Sequence, residues 1–288
     1  MLSDVWARTG DLVAQAATNG RAVPAFNVIS LDHAEAIAAG AGEAGVAVLL
    51  QLSQNAIAYH QAAEPLLAAC REIAYAASVP IGIHLDHLDD RDLVERVLPR
   101  AAELGVGSLM FDAARLKYAE NVDATAAVAR VAREHGLWVE AELGEVGGKD
   151  GAHAPGVRTD PDQACRFVES TGVDGLAVAV GSSHAMRERT ASLDLDLVRR
   201  LAAAVPVPLV LHGSSGVPDD QIAGAVAAGI RKINIGTALN VAGTAALRAA
   251  LAGQPEAVDP RKYGRPVRAA MAATVAHLCR VVSGPTSP

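Results

Sequence analysis

Aromatic residues are scarce. Phe, Trp and Tyr together make up 3% of the 288 residues. So few flat rings leave no platform for stacking bases or sugar rings. Positive charge is scarce too, with a formal net charge of −7. Nucleic acid is therefore excluded as a partner, because its backbone asks for a basic patch. A phosphorylated small molecule is not excluded, since backbone N–H groups and a few local cations can hold phosphate. No apolar run reaches bilayer-spanning length, and Met1 to Arg8 lacks a signal-peptide pattern. No membrane partner is expected. The three cysteines, Cys70, Cys165 and Cys279, are odd in number, far apart and set in Ala-rich helical contexts. They read as reduced core thiols, which suits a cytoplasmic protein.

What is present is an α/β pattern rich in Ala and Val, with 51% hydrophobic residues. A helix is expected over Ser3 to Asn19. Strands are expected over residues 22–27, 46–52, 81–87, 108–112, 137–143, 175–180, 208–212 and 232–235, each followed by a helix. Those helices fall at about 31–44, 63–77, 90–103, 118–135, 160 onward, 194–204, 218–228 and 238–251, with a last one at 263–282. Gly45, Gly105 and Gly136 close three of them. Asp160-Pro161 opens another as cap and first-turn proline. The strict alternation predicts a (β/α)8 TIM barrel with additional N- and C-terminal helices, one domain over residues 1–288. A doubly wound sheet is the alternative. Residues 144–159 make a Gly-rich segment too long for an ordinary connection, which suggests function.

The polar residues support the barrel. Asn27, Gln51, Ser53, Asp86, His87, Asp112, Glu140 and Glu142 end strands one to five. Gly181 and His184 follow strand six, His212, Gly213 and Ser215 strand seven, and Asn234, Gly236 and Thr237 strand eight. In a barrel all of them crowd the carboxyl-terminal mouth, where barrel active sites lie. The stretch Ile81-Gly82-Ile83-His84-Leu85-Asp86-His87 runs a buried strand straight into two histidines and a carboxylate. Strand alternation would send His84 and Asp86 one way and His87 the other, but the strand is ending there.

His87, His184 and His212 can meet at that mouth. Three protein ligands with a fourth position open is the pattern of a catalytic zinc site. His84 reads as an outer residue that holds a carboxylate or a ligand in place. Asp112 and Glu142 read as a secondary metal position or as outer residues of the same kind. The remaining histidines, on helices and loops, read as structural. His212-Gly213-Ser214-Ser215-Gly216 and Asn234-Ile235-Gly236-Thr237 read as phosphate cradles, because barrels often hold phosphate after strands seven and eight. Asn27 and Ser53 join them as substrate-contacting candidates.

With these residues in place, the chain resembles the class II, metal-dependent ketose-bisphosphate aldolases of the tagatose- and fructose-bisphosphate branch. The resemblance runs through Pro24-Ala25-Phe26-Asn27, His84-Leu85-Asp86-His87, Glu140-Ala141-Glu142-Leu143-Gly144, Thr171-Gly172-Val173-Asp174, Val210-Leu211-His212-Gly213, Lys232-Ile233-Asn234 and Asp259-Pro260-Arg261-Lys262-Tyr263. It implies Zn²⁺ on His87, His184 and His212, and Asp86 as the group that moves the C4 hydroxyl proton. It implies that Gly181, Gly213, Ser215, Asn234 and Thr237 hold the dihydroxyacetone-phosphate half. It also implies a Na⁺ or K⁺ ion near backbone groups of Gly181 and Gly213. The implied reaction is reversible cleavage of a ketose 1,6-bisphosphate to dihydroxyacetone phosphate and glyceraldehyde 3-phosphate, through a zinc-stabilised enediolate. Such a lyase of carbohydrate metabolism and glycolysis is expected as a cytoplasmic homodimer or homotetramer. Arg261 falls where some relatives reach a neighbouring subunit's site.

No Schiff-base lysine is needed, and the chain has four lysines: Lys117, Lys149, Lys232 and Lys262. Lys232 is expected at the start of strand eight, at the wrong end of the barrel, as a surface residue. The chain departs from the family pattern in places. Leu88 stands where a second histidine often follows. Asp150 stands where the loop usually has the Glu that moves the C3 proton. Ala185 follows His184 in place of Gly, and Ala114 with Arg115 stands where Ser is common. Alternatives are an aldolase for a deoxy-ketogluconate phosphate, a non-catalytic barrel subunit of an aldolase complex, and a metal-dependent barrel hydrolase.

Overall fold

The structure, a computed structural model, describes residues 6–143, 157–183 and 188–284. Among them, eight strands close into a barrel in sequence order, with every neighbouring pair parallel. They are β1 (Val23–Asn27), β2 (Val48–Ser53), β3 (Ile81–Leu88), β4 (Ser108–Phe111), β5 (Trp138–Leu143), β6 (Gly175–Val178), β7 (Leu209–Leu211) and β8 (Ile230–Ile235). The helices are α1 (Thr9–Thr18), α2 (Leu31–Ala44), α3 (Gln54–His60), α4 (Glu64–Ala76), α5 (Arg91–Val97), α6 (Ala101–Leu104), α7 (Tyr118–Glu134), α8 (Pro161–Thr171), α9 (Leu195–Ala204), α10 (Asp219–Ala228), α11 (Thr237–Gly253) and α12 (Pro260–Ser283). This is the (β/α)8 barrel that the alternation predicts.

Several boundaries differ from expectation, and four of the differences bear on the site or its support. The helix expected over 90–103 is broken into α5, a 3₁₀ turn at Leu98–Arg100 and α6. Pro99 has no N–H to give and cannot continue the ladder. A short helix, α3, follows β2 because the Ser53 hydroxyl caps it, accepting from the Ala56 N–H at 3.2 Å. The opening helix starts only at Thr9: Trp6 pairs with Ile81, and its indole N–H donates to the Gly105 carbonyl at 2.9 Å. Residues before Trp6 lie outside the described part. β8 starts at Ile230, two residues early, which moves Lys232 to the third position of the strand.

The core has an outer and an inner part. Between strands and helices lie fully buried residues such as Phe26, Leu50, Ile83, Leu176, Leu211 and Ile233, packed against Ile37, Leu67, Phe167 and Val198. Inside the barrel, α1 plugs the amino-terminal end. Its Leu12 and Val13 pack on Val23, Ala25 and Leu49. Burying those two side chains is worth about 3–6 kcal/mol as an upper estimate. Met110, Ala177 and Val210 form the next inner layer beside Trp138. Above it the inward positions turn polar: Gln51, His84, Glu140, His212, Lys232 and Asn234 are all buried. The apolar plug closes one end, so the polar half opens only toward the carboxyl-terminal mouth.

Candidate active site

The end of β3 resolves the alternation problem. Leu85 pairs with Leu109, and the next pair is Leu88 with Phe111, so β3 spends one residue more than β4 over this stretch. His87 takes up the extra residue in the left-handed region, at φ 51°. Such a bulge re-aims side chains. Asp86 and His87 therefore both reach the mouth, where regular alternation would part them.

His87 Nδ1 lies 2.8 Å from Asp112 Oδ2. A ring donating from Nδ1 presents its Nε2 lone pair, the arrangement that carboxylates impose on metal-binding histidines. The His87 and His212 rings meet edge to face, with centroids 4.8 Å apart. His212, at the end of β7, is fully buried. Its Nε2 is 2.8 Å from Glu140 Oε1, and its Nδ1 is 3.4 Å from Glu142 Oε2. Burial alone would push the His212 imidazole down, but its bonds to the two glutamates outweigh burial and raise it to about 9. Burial likewise works to raise Glu140, and the Lys232 ammonium and His212 outweigh it, holding Glu140 well below the usual carboxylate range.

Asp86 is 3% exposed. Asn234 Nδ2 donates to its Oδ1 at 3.2 Å, and Asn27 Nδ2 approaches its Oδ2 at 3.5 Å. Gln51 Nε2 in turn donates to Asn27 Oδ1 at 2.7 Å. Burial works to raise the Asp86 carboxyl, but the electrostatic pull of the neighbouring His87 and His212 rings outweighs it and lowers it. Asp86 is thus kept ionised and aimed. His84 sits one layer down. Its Nδ1 bonds Ser108 Oγ at 2.8 Å, Ser108 bonds Thr9 at 2.6 Å, and Nε2 is 4.0 Å from Glu140 Oε2. Burial first, then Lys232, push His84 down to about 3. It is a neutral interior strut between the plug and the site.

Lys232 is not a surface residue. It is fully buried, and its ammonium donates to Glu140 Oε2 at 2.8 Å and to Asn234 Oδ1 at 2.7 Å. The expectation failed because β8 begins earlier than its apolar run suggests. Lys232 and Asn234 then share the inward face, two residues apart. That period-two pairing was visible in the sequence. Glu140 could be seen only as one more polar strand end. The cysteine expectation also needs correction: Cys70 and Cys279 are buried, but Cys165 is only partly so.

The mouth is a cavity of about 530 Å³. Asn27, Ser53, Asp86, His87, Asp112, Gly213, Ser215, Asn234, Gly236 and Thr237 all line it, as does Arg115. Gly213, at φ 67°, lies so close to Ser183 that an added Cβ would fall 2.6 Å from its backbone carbonyl carbon. Gly236 lies similarly against Asn27, at 2.9 Å. The Ser215 hydroxyl accepts from the Ala238 N–H in the first turn of α11 at 3.1 Å. Gly181 follows β6 at φ 117° and is not part of the cavity's described lining. His184 and Asp150 lie outside the described residues.

A metal fits the donors that are described. Ligand atoms of Asp86, His87 and His212 all lie within 4.8 Å of one another, and so do those of His87, Asp112 and Glu142. Ligands at about 2.0–2.2 Å from one tetrahedral ion lie roughly 3.3–3.6 Å apart, so a contraction of about 1 Å closes either set on a cation.

The sequence matches the family of class-II fructose-bisphosphate aldolases over residues 7–285. The chain belongs to this family. The YdjI aldolase from Escherichia coli K12 is similar to it at 31% identity and a TM-score of 0.83, covering 96% of this chain and 97% of that one. A candidate fructose-1,6-bisphosphate aldolase from Coccidioides immitis is 28% identical, with a TM-score of 0.84 and 96% of each chain covered. The fructose-bisphosphate aldolase of Campylobacter jejuni shares the fold at 21% identity and a TM-score of 0.81, over 94% of this chain and 93% of that one. A class-II aldolase is a metal-dependent lyase acting on a small phosphorylated sugar, and the barrel hydrolase alternative falls away.

Proposed function

We propose that the protein is a zinc-dependent aldolase that cleaves a ketose 1,6-bisphosphate into dihydroxyacetone phosphate and glyceraldehyde 3-phosphate, and runs the reverse condensation. The observation that carries this reading is one cavity lined by an ionised carboxylate, Asp86, and the His87 imidazole, with the buried His212 imidazole packed against them and Gly-rich turns on the far strands. His87, His212 and His184 would hold the ion. Bound there, Zn²⁺ supplies Lewis-acid stabilisation of the negative charge left when the C3–C4 bond breaks.

The rest falls to the chain's own side chains. Asp86 takes the proton from the C4 hydroxyl during cleavage and returns it during condensation. Asn234 and Asn27 aim its two oxygens. Asp150 is proposed for the proton at C3. Gly213, Ser215, Gly236 and Thr237 cradle the first phosphate at the start of α11, where the helix dipole favours an anion. Gly181 with Gly213 would also hold the Na⁺ or K⁺ ion. Asp112 and Glu142, with His84 below, hold the ligands in place and offer a second metal position.

Arg115 serves the far end of the substrate. It follows β4, diametrically across the barrel from β8 and its cradle. It is the one arginine or lysine among the cavity's described lining residues. A substrate with an anionic group at each end would span cradle, metal and guanidinium in that order. α11 supports a homodimer or homotetramer: of its 17 residues only Arg248 is charged, and only Leu239 and Gly243 are buried. A second copy of this chain would cover that face. No helix among the described residues is long and apolar enough to cross a membrane, and a cytoplasmic setting fits three unpaired cysteines.

The test is release of dihydroxyacetone phosphate from fructose 1,6-bisphosphate, tagatose 1,6-bisphosphate and the deoxy-ketogluconate phosphate, before and after EDTA. The reading expects EDTA-sensitive cleavage of one of the two bisphosphates. Cleavage of the sugar acid alone would move the assignment to that substrate.

A further inference from the structure

We propose that Lys232 is a positioning residue that locks the metal-binding and proton-transfer halves of the site to a single buried cation. A lysine ammonium has donors and no acceptor. The Asn234 side-chain atom 2.7 Å from it must therefore be the amide oxygen. That choice turns the NH₂ group of Asn234 onto Asp86 Oδ1, 3.2 Å away. With the opposite orientation, two acceptors would face each other at Asp86.

The second arm of Lys232 works on the metal side. Its bond to Glu140 Oε2 leaves Oε1 turned to His212 Nε2, at 2.8 Å. Glu140 as a carboxylate only accepts, so Nε2 carries a proton, and Nδ1, 3.4 Å from Glu142 Oε2, is the ring nitrogen left to exchange its proton for a metal. The 3.1 Å contact between Asn234 Nδ2 and His212 Nε2 then sets two donors side by side. Asn234 is left with Asp86 as its productive partner. Lys232 thus acts through two neighbours, Glu140 to His212 and Asn234 to Asp86. It never faces the cavity, whose described lining does not include it.

Two variants test this, Lys232→Met and Lys232→Met/Glu140→Gln. The readouts are Zn²⁺ affinity of the metal-free chain by chelator competition, the melting temperature, and kcat and KM separately. The turnover arm rests on the aldolase reading and the metal arm does not. Lys232→Met should bind Zn²⁺ about 10–100-fold more weakly, the usual loss when the partner behind a metal ligand is disturbed. In the double variant the amide oxygen that replaces the carboxylate still accepts from His212 while the unpaired charge is gone, so affinity should return to within about threefold of the parent. Its kcat should stay at least about tenfold down with KM little changed, because nothing clamps Asn234. A folded Lys232→Met chain with parental Zn²⁺ affinity overturns the proposal, whatever its melting temperature. If Lys232→Met does not fold, the double variant decides: parental kcat there would reduce Lys232 to charge balance. If the parent cleaves no ketose phosphate, the aldolase reading fails and the metal arm alone decides on Lys232.

Discussion

Asp86→Asn separates two roles that the geometry offers this carboxylate. Its ligand atom lies within 4.8 Å of those of His87 and His212, so it is placed either to bind the ion or to move a proton beside it. The substitution keeps the side-chain shape and removes the proton acceptor. Loss of a positioned acid–base group costs about 10²–10⁴-fold in rate, or roughly 3–5 kcal/mol of barrier. The stability cost is smaller. The new amide can still accept from Asn234 through its oxygen, but its NH₂ must then face the Asn27 donor now 3.5 Å from Oδ2. One poorly met buried donor costs about 1–2 kcal/mol. With an unfolding entropy of roughly 0.6 kcal/mol/K for 288 residues, that is a fall of about 2–3 °C in melting temperature. Dihydroxyacetone phosphate release, metal content per chain and a thermal melt on one preparation give all three numbers. The proton role predicts full metal content, a small shift in melting and a hundredfold or greater loss of kcat. Loss of the metal would make Asp86 a ligand, and turnover within threefold of the parent would refute both roles.

Other outcomes follow from single contacts. Gly213→Ala combines a left-handed backbone with a Cβ 2.6 Å from Ser183, and should cost about 2–5 kcal/mol. A melting temperature within 1 °C of the parent would contradict the close packing of these two loops. Arg115→Ala should raise KM for a ketose bisphosphate about tenfold and leave KM for a substrate with an uncharged far end unchanged; equal effects on both would remove its proposed role. Burial pushes the Cys70 and Cys279 thiols up to about 12. At pH 8 the native chain should therefore give a disulfide reagent one thiol, Cys165, and three after denaturation. Rapid reaction of more than one in the native chain would contradict the core packing around them.

Much of this site was legible because a barrel turns strand ends into neighbours. Asp86, His87, Asp112, Glu142, His212 and Asn234 are far apart in sequence, yet each stands at the carboxyl end of a strand. What the sequence hid depends on register. How deep in the barrel Lys232 lies turns on where β8 begins, at Ile230 and not at Lys232 itself. The bulge at His87 was equally hidden, because no glycine marks it and only the pairing of β3 with β4 reveals the extra residue. Pro99 does announce the break between α5 and α6, although the Ala-rich pattern beyond it continues the helical period. Ser53 carries two signals at once, a polar strand end and the cap of α3, and the second is the weaker one in the sequence.

Metal content is the most direct test of the site. The purified chain, stripped with chelator and refilled with Zn²⁺, should take up one tightly held ion per chain and regain aldol cleavage in proportion. His87→Ala and His212→Ala should each lose both uptake and activity. Full cleavage by a chain shown to be free of metal, or tight Zn²⁺ binding that survives both substitutions, would contradict the claim that these imidazoles hold the catalytic ion.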